Sequence, residues 1–149
     1  MRILISACLL GVGCRYDGAE KPLPKETIEL LKKNFTLIPV CPEQLGGLST
    51  PRNPAERVGE KVISLTGDDV TAQYEKGARE ALKIAKELGC NTALLKEKSP
   101  SCGCGEIYDG NFMKKLILGD GVTAALFKEN QIKIFGESQI EVLLAQTGF

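Results

Sequence analysis

Four short apolar runs, at residues 2–7, 36–40, 92–95 and 131–135, are each followed by a stretch with helical character. This alternation constrains the fold more than any other feature. Strands that recur between helices assemble most simply into one mostly parallel sheet, with right-handed crossovers carrying the helices onto its faces. The first run alternates poorly and is apolar throughout, as a strand buried on both faces would be. The predicted fold is therefore a single-domain, three-layer, Rossmann-like α/β fold over residues 1–149, with a mostly parallel sheet of about four strands.

The connecting segments fit this outline. Residues 24–35 read as a helix, because Ile28, Leu31 and Phe35 recur at spacings of three and four. Residues from about 41 to 60 are rich in Gly, Pro and Asn and read as a site loop, followed by a short strand at 61–65 and the turn Thr66-Gly67-Asp68. Asp69 or Thr71 is the predicted cap of a helix to about Leu88, whose apolar stripe is Ala78, Leu82, Ala85 and Leu88. Gly89 suits its stop. Residues 99–105 form a tight, Gly-rich loop, Asp120-Gly121 precedes a helix to about Lys128, and Ser138 is the predicted cap of a final helix to about Gln146.

Composition narrows the function. Lys plus Arg number 19 and so do Asp plus Glu, giving zero formal charge, which argues against a surface that tracks nucleic acid by neutralising phosphates. No run is long and apolar enough to span a bilayer, and the N-terminal apolar run is too short for a signal peptide. These features predict a cytoplasmic protein with no membrane partner, in a compartment that keeps thiols reduced. Six cysteines there point to metal, redox or nucleophilic chemistry rather than disulfides. Histidine is absent, which excludes a Ser-His-Asp triad, a Cys-His pair and any His-containing zinc site.

Three cysteines occupy equivalent places: Cys8 and Cys41 end the first and second strands, and Cys102 lies in the loop after the third. In a 2-1-3-4 strand order those three strands are neighbours, so the thiols share one sheet edge. Convergent thiolates without histidine suit an iron–sulfur cluster or a Cys-rich zinc site. Spacing alone leaves cluster binding and buried structural cysteines both open.

Longer motifs go further. Ser6-Ala7-Cys8-Leu9-Leu10-Gly11 with Cys14-Arg15-Tyr16-Asp17-Gly18, then Pro39-Val40-Cys41-Pro42-Glu43, Gly46-Gly47-Leu48, Thr50-Pro51-Arg52, Ser99-Pro100-Ser101-Cys102-Gly103, Tyr108-Asp109-Gly110 and residues 119–126 resemble the thiouracil desulfurase family over nearly the whole chain. The resemblance implies an enzyme that converts 2-thiouracil to uracil and releases hydrosulfide without net redox change. It also implies a [4Fe-4S] cluster held by three cysteines, with one iron not bound by protein. Carried over by motif, the ligands fall on Cys8, Cys41 and Cys102, with Cys14 in the same motif as Cys8 and an alternative to it. Cys104 is a further local alternative to Cys102, and Cys90 reads as structural.

Water attack on a thiocarbonyl needs a base, and Glu43, two residues after Cys41, is the candidate, able to activate water or bind a pyrimidine N–H, with Ser99 and Ser101 as hydroxyls able to orient water or substrate. The bland readings are a solvated loop glutamate and ordinary turn serines. Arg52 and Arg57 are candidate contacts for a substrate carbonyl or phosphate. The expected partner is a small thiolated base or nucleoside. The rivals are a Cys-rich zinc protein with a structural or interaction role, using Cys8, Cys14, Cys102 and Cys104, and a thiol redox sensor pairing Cys102 with Cys104.

Overall fold

The computed structural model describes residues 1–19 and 22–146. Its centre is a four-stranded parallel sheet of β1 (Arg2–Ser6), β2 (Thr36–Val40), β5 (Thr92–Leu95) and β8 (Lys133–Gly136), in the order β2-β1-β5-β8. In the numbering of the four predicted runs this is 2-1-3-4. Ser6 pairs with Val40, and Leu95 with Gly136, so the carboxyl ends of neighbouring strands lie level along one edge.

Both faces of the sheet are covered, as the apolar strands require. On one face Leu4, Ala93 and Leu95 pack with Ala81 and Ala85 of α3 (Thr71–Glu87) and Phe127 of α4 (Val122–Glu129). On the other, Ile3, Ile5 and Leu94 pack with Leu31 of α1 (Lys25–Asn34) and Leu143 of α5 (Ile140–Ala145). The inward face of α3 is Tyr74, Gly77, Ala78, Ala81 and Ala85. These mostly small residues let it lie close to its neighbours, while Leu82 is only half-buried.

The structure corrects several local expectations. The 41–60 segment is not loop throughout: α2 (Pro42–Leu45) opens it, and β3 (Ala55–Val58) pairs antiparallel with β4 (Lys61–Ser64). A second antiparallel hairpin, β6 (Glu106–Tyr108) with β7 (Leu116–Leu118), stands where no strands were predicted. Val70 rather than Asp69 or Thr71 is the N-cap of α3, because Asp69 turns onto Thr71 instead, accepting from its N–H at 3.0 Å and its hydroxyl at 2.6 Å. Ser138 lies within a 3-10 turn, Glu137–Gln139, and its hydroxyl donates to Glu97.

Helix α2 is fixed by a backbone-to-backbone contact. A Cβ on Gly46 would lie 1.9 Å from the Gln73 carbonyl oxygen, and one on Gly77 1.9 Å from the Pro42 carbonyl oxygen. Only hydrogen fits at either position, so α2 and α3 meet without side chains between them. Gly77→Ala is expected to push α2 outward and cost about 1–3 kcal/mol, read as a lower urea midpoint. An unchanged midpoint would show that the helices are not in this contact.

Candidate active site

Three chain segments leave the level sheet edge side by side, and each carries a cysteine. Cys8 lies in the single 3-10 turn Ala7–Leu10 after β1. Cys41 follows β2 and is the N-cap residue of α2, whose Pro42 suits the first helical position. Cys102 lies in the loop after β5, which is tied to the start of α4 by backbone bonds from Val122 to Pro100 (2.9 Å) and from Thr123 to Ser101 (2.9 Å). All three line one cavity of about 430 Å³, within the usual range for small-molecule sites.

Cys14 lines the same cavity as a fourth thiol. Although it lies on a loop, it is 2% exposed. Its carbonyl accepts from Arg52 Nη2 at 3.0 Å and faces Cys41 Sγ at 3.8 Å. Arg52 also donates to the Ser49 carbonyl (3.1 Å) and Thr50 Oγ1 (3.1 Å), and lies 3.8 Å from Glu43 Oε2. The arginine thus joins the Cys14 loop to the segment after Cys41, leaving little of its guanidinium for a substrate. Arg57, the other arginine considered, lies outside the cavity and donates to the Asp120 carbonyl at 2.6 Å.

With no cation bound, the surroundings of Cys14, Cys41 and Cys102 favour the neutral thiols. Contact with the Cys14 thiol pushes Cys41 far up, and burial and the Glu43 carboxylate push it further. Burial pushes Cys102 up, with Glu43 adding to it. For Cys14 the contact with Cys41 lowers the thiol, but contact with Cys8 and burial outweigh it. A bound metal centre reverses this balance, since its positive charge draws thiols to thiolates.

Glu43 lines the cavity with Cys41 Sγ 3.9 Å from its Oε1. Burial raises its carboxyl above the ordinary range, and Arg52 only partly offsets this. Ser99 also lines the cavity, and its Oγ accepts from the Ser101 N–H (3.1 Å) and the Cys102 N–H (3.0 Å). With both acceptor positions used, its own proton is left to donate. Ser101 does not join them: it is fully buried, its hydroxyl bonds Thr123 Oγ1 at 2.7 Å, and it does not line the cavity. It ties the Cys102 loop to α4 and also contacts the Cys102 thiol from behind the cavity wall.

The cavity wall includes residues that sequence reasoning missed. Ser6 is buried, contacts the Cys102 thiol and accepts from the Lys96 N–H at 2.9 Å. Tyr74 is buried on the inner face of α3, and Tyr108 and Phe112 reach the cavity from the β6–β7 hairpin. An apolar stripe read on α3 would have found Tyr74 had it been extended one turn back. Phe112 gave no such signal, because a long-range contact positions it.

The remaining cysteines stand apart. Cys90 packs in the core beside Ala85 and Ile132. Cys104 is outside the cavity and contacts Lys128, itself paired with Asp120 at 3.0 Å. The zinc set of Cys8, Cys14, Cys102 and Cys104 is therefore not assembled in one place. Among the described residues no three Cys, Asp or Glu side chains converge as a single ion requires. Four thiols around one cavity, with no nitrogen ligand among them, fit a larger sulfur-bridged cluster. Among the described residues no helix is long and apolar enough to cross a membrane.

Comparison with known proteins gives consistent results. The model of a family described as 2-thiouracil desulfurase matches residues 3–139. A solved structure of a [4Fe-4S]-dependent thiouracil desulfidase, TudS, is 45% identical, with a TM-score of 0.91 and 97% of each chain covered. A Bacillus subtilis (strain 168) protein, uncharacterized protein YbbK, is 42% identical over 152 residues, covering 95% of this chain and 99% of its own.

Proposed function

Because the chain belongs to the 2-thiouracil desulfurase family, we propose that its cavity replaces the sulfur of a thiolated pyrimidine with oxygen from water, converting 2-thiouracil to uracil. The observation that carries this reading is the shared wall: four thiols, a buried carboxylate and a serine hydroxyl free to donate all line one cavity. Cys8, Cys41 and Cys102 hold a [4Fe-4S] cluster, and Cys14 stands beside them as a non-ligand thiol. When bound, such a cluster with one iron not held by protein supplies a soft Lewis acid suited to a thiocarbonyl sulfur.

The chain supplies the rest. Glu43 takes a proton from the water that attacks the thiocarbonyl carbon, and its burial raises its proton affinity toward what a general base needs near neutral pH. Ser99, pinned by two backbone N–H groups, donates a hydrogen bond to the reacting substrate. Arg52 holds Glu43 and the Cys14 loop in register. The carbon–sulfur double bond becomes a carbon–oxygen double bond, and water's two protons leave with the sulfur as hydrosulfide and a free proton. No electron is gained or lost.

The test is turnover of 2-thiouracil in oxygen-18 water without reductant. The expected result is one uracil carrying one labelled oxygen for each hydrosulfide released. Unlabelled uracil, or turnover that requires a reductant, would overturn the hydrolytic reading.

A further inference from the structure

The cavity wall made by the β6–β7 hairpin and the segment after β5 has an unusual backbone. Among the described residues, four non-glycine residues have left-handed φ, and three of them line the cavity: Lys98 (φ 69°), Phe112 (φ 57°) and Lys114 (φ 59°). Such a conformation is uncommon for a side chain as large as Phe and persists only where its surroundings impose it.

Here the imposing group is Glu56. It lies on β3, is buried, and its Oε1 accepts from the Gly110 N–H at 3.0 Å and the Phe112 N–H at 3.2 Å. Gly110 fits tightly, since a Cβ there would lie 2.8 Å from Val58 Cγ2 and 2.9 Å from the Arg57 carbonyl oxygen. A carboxylate on one hairpin therefore fixes the tip of another, and the residue it holds is an aromatic side chain on the cavity wall. Phe112 contributes little to either core cluster and is only half-buried. Held backbone, a planar apolar ring and a place on the cavity wall together describe a stacking platform for a flat heterocycle.

Resting on the desulfuration reading, the geometry points to Phe112 as the residue on which the pyrimidine ring stacks, with Glu56 as the residue that positions it. This assigns ring recognition to the hairpin, opposite in role to the thiols, Glu43 and Ser99. It requires flatness of the ligand rather than a particular exocyclic group, so uracil should use the platform as well as 2-thiouracil.

The experiment uses the cluster-loaded protein and two readouts: binding of uracil by calorimetry, and KM and kcat for 2-thiouracil. Phe112→Ala should weaken uracil binding and raise KM by about tenfold, with kcat and iron content little changed. Phe112→Tyr should restore both values. Glu56→Ala should reproduce the loss, Glu56→Gln should rescue it because one amide oxygen can accept both N–H groups, and Glu56→Ala with Phe112→Ala should be no worse than Phe112→Ala alone. Wild-type affinity in Phe112→Ala, or additive losses in the double variant, would overturn the assignment while leaving desulfuration intact. Wild-type protein that neither binds uracil nor consumes 2-thiouracil would overturn both.

Discussion

Cys41→Ala is expected to fold and yet stay colourless after anaerobic treatment with iron and sulfide. The thiol stands between the others, touching the Cys14 thiol and sensing the charge of Glu43. Its segment is held by the glycine contact between α2 and α3, which fixes where the thiol stands. Iron affinity should fall at least as far as the roughly 10–100-fold that follows removal of a group that merely orients a ligand. Cys104→Ala, which alters a thiol outside the cavity, should load like the wild type. Iron content and visible absorption decide the matter, and a brown Cys41→Ala protein would remove Cys41 from the ligand set. Parallel loading of Cys8→Ala and Cys14→Ala tests the choice between those two: loss in the second with retention in the first would exchange their roles.

Glu43→Gln should give the opposite pattern. The amide keeps the shape of the side chain and is neutral, so its burial costs no more than that of the carboxylate. Iron content should remain normal while kcat for 2-thiouracil falls by about 10²–10⁴-fold, the range attributed to a positioned general base. KM should change little, because the carboxylate is assigned to water rather than to the pyrimidine ring. Normal kcat in Glu43→Gln would take the residue out of the mechanism.

Much of the sheet was legible because its information is local. The apolar runs and the helices between them fall within a few residues of their predicted places; the alternation implied a parallel sheet, and the 2-1-3-4 order supposed for it is the order observed. The position of the thiols at one edge follows in turn from that order. What escaped was set by contacts distant in sequence. The strands Glu106–Tyr108 and Leu116–Leu118 are only three residues each, too short for a period-2 pattern, and Glu56 ties down their connection from the other hairpin. Within 41–60, a density of Gly and Pro suggested loop, but Pro42 opens a helix and the Gly46 contact holds it.

The two serines show the same limit at the level of single side chains. Ser99 and Ser101 flank Pro100 and look equivalent in the sequence. In the structure Ser99 faces the cavity while Ser101 meets Thr123, because the loop must turn between them to join α4. Motif resemblance gave the neighbourhood, and only the fold separates the hydroxyl that lines the cavity from the one that lies behind it, against Cys102 and Thr123.

The central claim is that this cavity assembles a cluster that the desulfuration of thiouracil requires. The most direct measurement is anaerobic loading of the wild-type protein with iron and sulfide, followed by iron content and 2-thiouracil loss in the same sample. The prediction is four iron atoms per chain, a brown protein, and hydrosulfide released in step with thiouracil consumed, with no activity in the unloaded protein. A colourless protein that instead retains one tightly bound zinc and leaves thiouracil untouched would contradict the account.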